Sequence, residues 1–101
     1  MNRNDQTLTR EGFRQLLAAL DADPAVAAEK YELLRRKLIS FFQWRRASFP
    51  EDFADETLNV TTRRIAEGER ILNVSAYCRS VAEKILLAKY REQEKERAVQ
   101  V

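Results

Sequence analysis

The sequence predicts an all-α protein, a compact bundle of about four helices, and three observations predict it. Only two glycines and two prolines occur in 101 residues, so few points break a helix. Leu, Ala, Glu, Arg and Lys, which lose little on entering a helix, are abundant. Apolar residues recur at three- and four-residue intervals through four successive stretches, the period of helices with one buried face. A chain of this length hides roughly two-thirds of its unfolded surface, enough for one modest core, so residues 1–101 read as a single domain.

The first helix is expected over about Arg10–Leu20, with Thr9 as N-cap and Phe13, Leu16, Leu17 and Leu20 on one face. Asp21-Ala22-Asp23-Pro24 then resets the chain. Asp23 caps the second helix, and Pro24 takes its first position, where a missing N–H costs nothing. That helix should run to about Arg46 on a stripe of Ala27, Tyr31, Leu34, Leu38 and Phe41 or Phe42. Phe41, Phe42 and Trp44 crowd its end, which predicts burial there on more than one side.

Ser48-Phe49-Pro50-Glu51 fits a capping box for the third helix, with Ser48 as N-cap and Glu51 reaching back. Glu51, Asp52, Asp55 and Glu56 at its start and Arg63 and Arg64 at its end complement the helix dipole. Gly68 is its stop. After a connection over 67–72, Asn73 caps a fourth helix with a seam of Val74, Tyr77, Cys78, Val81, Ala82, Ile85 and Leu86. Beyond Tyr90 the pattern is polar on every side, a solvated helical end.

Composition excludes much chemistry. There is no histidine, so the usual general base near neutral pH and the commonest metal ligand are missing. Cys78 is the only cysteine, so no internal disulfide forms, and its place on an apolar seam predicts core rather than nucleophile. No glycine-rich phosphate loop occurs. A non-enzymatic protein without cofactor or metal is expected. Met1–Thr9 is polar, with no signal-peptide core, and no apolar run nears the roughly 18 residues of a membrane span, so a cytoplasmic location is expected. Eighteen Lys and Arg against 16 Asp and Glu give a formal charge of +2, with the bases clustered at Arg35-Arg36-Lys37, Arg45-Arg46 and Arg63-Arg64. Such clusters are either solvated faces or an electrostatic footprint.

Asp52-Phe53-Ala54-Asp55-Glu56-Thr57-Leu58 resembles the D-L-V-Q-E-T-F signature of region 2 in bacterial RNA polymerase sigma factors of the extracytoplasmic-function type. Ala76-Tyr77-Cys78-Arg79-Ser80-Val81-Ala82 is similar to that family's A-W-L-Y-R-I-A segment. Glu56 and Tyr77 lie 21 positions apart, the family's typical separation between the signature glutamate and the later tryptophan. Tyr31-Glu32-Leu33-Leu34-Arg35-Arg36 resembles its first conserved helix, so the likeness spans roughly Tyr31 to Arg91. It implies a region-2-like core over about 24–91, with the helix at 10–20 as an addition.

The resemblance implies a sigma-like transcription initiation or regulatory protein. Its docking partner would be core RNA polymerase, at the clamp helices of the largest subunit. That contact would fall to Asp52, Asp55, Glu56 and Asn59, flanked by Arg35 and Arg36. Promoter DNA at the −10 element would meet Arg63, Arg64, Arg70, Asn73, Tyr77, Arg79, Ser80 and Lys84, since single-strand capture uses aromatic platforms and basic side chains. Tyr77 lies on the apolar seam, so core packing and base stacking are both open to it. Asp55 replaces the signature glutamine, Val74 an aromatic, Thr61 a tryptophan, and Glu83 a basic or neutral residue. These departures weaken DNA melting more than docking, because an acid repels phosphate. No helix-turn-helix pattern for the −35 element follows, so a stand-alone region 2 is expected. The alternative is a protein-interaction module of sigma-like fold without DNA function, a homodimer or the partner of a regulatory protein.

Overall fold

Asp23 and Pro24 start the second helix as their chemistry predicts: the Asp23 carboxylate accepts from the Ala25 N–H at 2.9 Å, and Pro24 is the first helical residue. The computed structural model describes residues 2–100, with side-chain surroundings for 10–99. It consists of α1 (Asn2–Leu20), α2 (Pro24–Trp44), α3 (Pro50–Ala66) and α4 (Val74–Gln100), an all-α bundle as expected. α3 is the hub: α1 packs mainly on it, and α2 and α4 flank it.

Three local expectations need correction. Thr9 caps nothing, because α1 begins at Asn2 and passes through it. Ser48 is not the N-cap of α3 either; Phe49 is, without a side-chain hydrogen bond. Pro50 explains the shift, since it forces the residue before it into extended geometry and becomes the first helical residue itself. The capping box is thereby one position out of register. Finally, α2 stops at Trp44, whose side chain is 85% exposed rather than buried.

Two helix ends close in the same way. At α2, the Arg46 N–H reaches the Gln43 carbonyl and the Ala47 N–H that of Phe42, both at 3.0 Å. At α3, Gly68 reaches Ile65 and Glu69 reaches Arg64, again at 3.0 Å. Each is a Schellman motif, which needs a left-handed residue just past the cap. Gly68 supplies it at φ 97° as expected, but at α2 the position is held by Arg46 at φ 57°. Left-handed geometry costs an L-residue roughly 1–2 kcal/mol. Arg46→Gly is therefore expected to stabilise the protein by about 1 kcal/mol, raising the melting temperature by roughly 4–8 °C in a thermal scan.

The expected stripes meet in one core. Leu16 comes from α1, Leu34, Leu38, Phe41 and Phe42 from α2, Leu58 and Ile65 from α3, and Val74, Cys78, Ala82 and Leu86 from α4. α3 reaches its central place because its inner face is small. Thr57, Thr61 and Thr62 are buried there, each donating its hydroxyl to the carbonyl four residues back at 2.8–2.9 Å. This pairing satisfies the hydroxyls locally, so their burial carries no unpaired donor. Gly12 of α1 lies against this face, where an added Cβ would stand 2.5 Å from the Thr62 carbonyl oxygen. Cys78 is fully buried beside the Thr61 hydroxyl at 3.3 Å, and burial pushes its thiol pKa up, which keeps it protonated and inert.

Asn73 caps α4 as predicted, accepting from the Ala76 N–H at 3.0 Å. Residues 91–99 are exposed on every side of that helix. No helix among the described residues is long and apolar enough to cross a membrane.

Candidate functional site

The residues assigned to polymerase docking fall into an exposed row, a paired brace and one residue apart from both. Asp52, Glu56 and Asn59 are exposed at four- and three-residue steps, which places them in one row along α3. Asp55 borders that row but is engaged from within. Its carboxylate accepts from Arg35 Nε at 2.8 Å and Nη2 at 3.2 Å, a bidentate pair between α3 and α2. The hydrogen bond from Asp55 raises the Arg35 pKa further above its ordinary value. Arg35 and Asp55 thus brace the two helices, and each neutralises the other. Arg36 lies apart, on the outer side of α2 with Glu29, Glu32 and Leu33. Arg63 continues the acidic row by one further four-residue step, so it belongs to that row's end rather than to a separate surface.

Of the residues assigned to DNA, four converge. Arg64, Tyr77, Ser80 and Lys84 line a groove of about 450 Å³ between the end of α3 and α4. Tyr77 is neither core nor free: it is half-buried, with one side on the groove. Hydrogen bonding toward the Glu69 carboxylate, with partial burial, raises its phenol pKa, so it stays neutral at physiological pH. Cations beside an aromatic face are the arrangement that takes an unstacked base and its phosphate. Asn73 is committed to capping α4, and Arg70 is exposed in the preceding connection.

Arg79 points elsewhere. Its guanidinium carbon is 4.7 Å from the centroid of the Phe41 ring, and its Nε is 3.5 Å from Glu83. The acid that stood out in sequence as a repellent to phosphate is thus the partner of a neighbouring cation. Arg45 shares the same ring at 3.8 Å, and Tyr90 donates its hydroxyl to the Arg45 carbonyl at 3.1 Å. In sequence Arg45 is one of a basic pair and Tyr90 the end of an apolar pattern; nothing there joins them, because their meeting depends on a contact across 45 positions of chain.

Two aromatic side chains are left bare at the corner between α2 and α3: Trp44 at 85% and Phe49 at 63% exposure. Among the described residues, no group of three or more acidic or cysteine side chains is placed to hold a metal ion. No family model, no curated protein and no solved structure gives a significant match to this chain.

Proposed function

We propose that this chain is a sigma-factor-like transcription protein that docks on core RNA polymerase and holds single-stranded promoter DNA. The acidic row Asp52, Glu56 and Asn59 meets the polymerase clamp, and the groove of Arg64, Tyr77, Ser80 and Lys84 takes the DNA strand. The observation that carries this reading is the division of labour on α3. Asp52 and Glu56 stand at its start, and further four-residue steps along the same strip reach Val60 and Arg64 at its end, which line the groove. The acids and the groove are thus separated along the helix, by roughly 18 Å from Asp52 to Arg64, which leaves room for both partners. Opposite charges across such a docking face set register and association rate.

The test is capture of core polymerase by the wild type and by the double variant Asp52→Lys/Glu56→Lys, which leaves the Arg35–Asp55 brace intact. Like-charge contacts across an interface cost several kcal/mol, so capture is expected to weaken at least tenfold. Unchanged capture by a folded double variant would remove the docking assignment.

A second reading is a protein-interaction module that does not melt DNA. Exposed Trp44 and Phe49 favour it, since bare aromatic side chains of this size mark contact surfaces. Under that reading, single-stranded oligonucleotides bind without dependence on salt or bases, or do not bind.

A further inference from the structure

A second groove, of about 530 Å³, opens on the opposite flank of α4 from the Arg64–Tyr77 groove. Arg45, Glu83, Leu87 and Tyr90 line it, and it shares Ser80 and Lys84 with the first groove. Ser80 and Lys84 therefore form a low ridge with a groove on each side. Both grooves hold a tyrosine, an arginine from a neighbouring helix and one acid, Glu69 in the first and Glu83 in the second, with Lys84 common to both. From Tyr77 to Tyr90, α4 rises about 20 Å, enough for a few extended nucleotides.

The second groove is suited to a negatively charged, flat-ringed ligand. Its floor is apolar, with Leu87 at 49% and Tyr90 at 44% exposure. The Tyr90 ring is held in place through its hydroxyl bond to the Arg45 carbonyl, so little freedom remains to be lost when a base stacks on it. Arg45 and Arg79 both lie against the Phe41 ring, which brings two positive charges close together. Glu83 offsets Arg79, which leaves Arg45 and Lys84 as the cations at the rim.

We infer that the single strand crosses α4 over the Ser80–Lys84 ridge into this second groove, where a base stacks on Tyr90 and a phosphate meets Arg45. This rests on the proposed nucleic-acid reading of the first groove and adds Arg45 and Tyr90 as contact residues.

The experiment is fluorescence anisotropy with labelled oligothymidylates, one roughly four and one roughly twelve nucleotides long. The protein is the full chain as wild type, Arg45→Glu, Arg45→Ala, Tyr90→Ala and Tyr90→Phe. The short probe needs only the first groove, and the long one reaches both. Arg45→Glu and Tyr90→Ala are expected to weaken the long probe about tenfold and leave the short probe unchanged, a stacked base being worth this much or more. Tyr90→Phe, which keeps the ring, should retain most of the long-probe affinity. For Arg45→Ala, the slope of log affinity against log salt on the long probe should flatten by about 0.7, the value of one single-strand phosphate contact. Equal losses on both probes, or none on either, overturn the inference while the first groove stands. Should Tyr90→Ala fail to fold, the exposed Arg45 variants decide alone. Absence of binding by the wild type to both probes removes the nucleic-acid reading of both grooves.

Discussion

Gly12→Ala is expected to lower the melting temperature by roughly 10 °C, although the same change in an exposed helix would stabilise. Alanine is favoured over glycine inside a helix by about 1 kcal/mol. At Gly12, however, the new Cβ would stand 2.5 Å from the Thr62 carbonyl oxygen, 3.0 Å from the Ala66 Cβ and 3.1 Å from the Thr62 methyl. The first of these is backbone of the central helix and does not swing away. α1 must move off α3, and overpacking of this kind costs about 1–3 kcal/mol, occasionally more. With the upper end of that range set against the propensity gain, the net loss is about 2 kcal/mol, and each kcal/mol is worth roughly 4–8 °C in a domain of this size. Thr62→Ser trims the methyl but leaves the carbonyl oxygen, so it should not rescue the variant. A melting temperature equal to or above wild type would mean that α1 does not approach α3 this closely.

Gly12 also marks where reading the sequence ends. Within the first helix it appears only as a mildly unfavourable residue, because its purpose lies in a partner 50 positions away. Features settled by neighbouring residues are legible: Asp23 with Pro24, Gly68 and Asn73 act as their local chemistry predicts, and the apolar stripes do so except at Phe13, which lies exposed at the edge of the core against Tyr31. Ser48 misled because two local rules compete there, and the restriction imposed by Pro50 overrides the capping box. Trp44 misled for a different reason. Hydrophobic residues are enriched inside, but nothing obliges an individual one to be buried.

The candidate site divides along the same line. Its row of acids on α3 follows from helical period alone. Its ion pairs do not: Arg35 and Asp55 are 20 positions apart, and each reads in sequence as a free surface charge. Glu83 has its partner only four residues away, so the charge it would show to DNA is offset by the Arg79 beside it. The Arg45–Tyr90 contact needs α2 and α4 side by side before it means anything. Local signals thus place the helices and the faces, whereas which charges remain available to a partner is a property of the packed bundle.

Phe42→Ala should be the most damaging single truncation, and Trp44→Ala, two positions on, should be nearly silent. Phe42 is fully buried, edge-on to Phe41 at 5.1 Å between ring centroids and tilted against Phe53 at 5.5 Å. Removing a buried phenyl ring costs about 3–5 kcal/mol from lost transfer energy and the cavity left behind. Small domains have a total stability of about 5–15 kcal/mol, so the variant would sit near the edge of folding. Urea unfolding monitored by circular dichroism should show this as a much earlier midpoint. Phe42→Leu, which fills most of the space, should fall between the variant and wild type. The rings of Phe41 and Phe42 are in contact, so a disturbed Phe41 would also loosen the support on which Arg45 and Arg79 rest. Trp44 is exposed and makes no such contact, and substitutions at such positions stay within about 0.5 kcal/mol. If Trp44→Ala instead lowered stability in a way that depended on protein concentration, the corner of α2 and α3 would be covered in solution by a second copy. That result would favour the interaction module over the DNA-holding protein, because the bare aromatic corner would then have an occupant of its own.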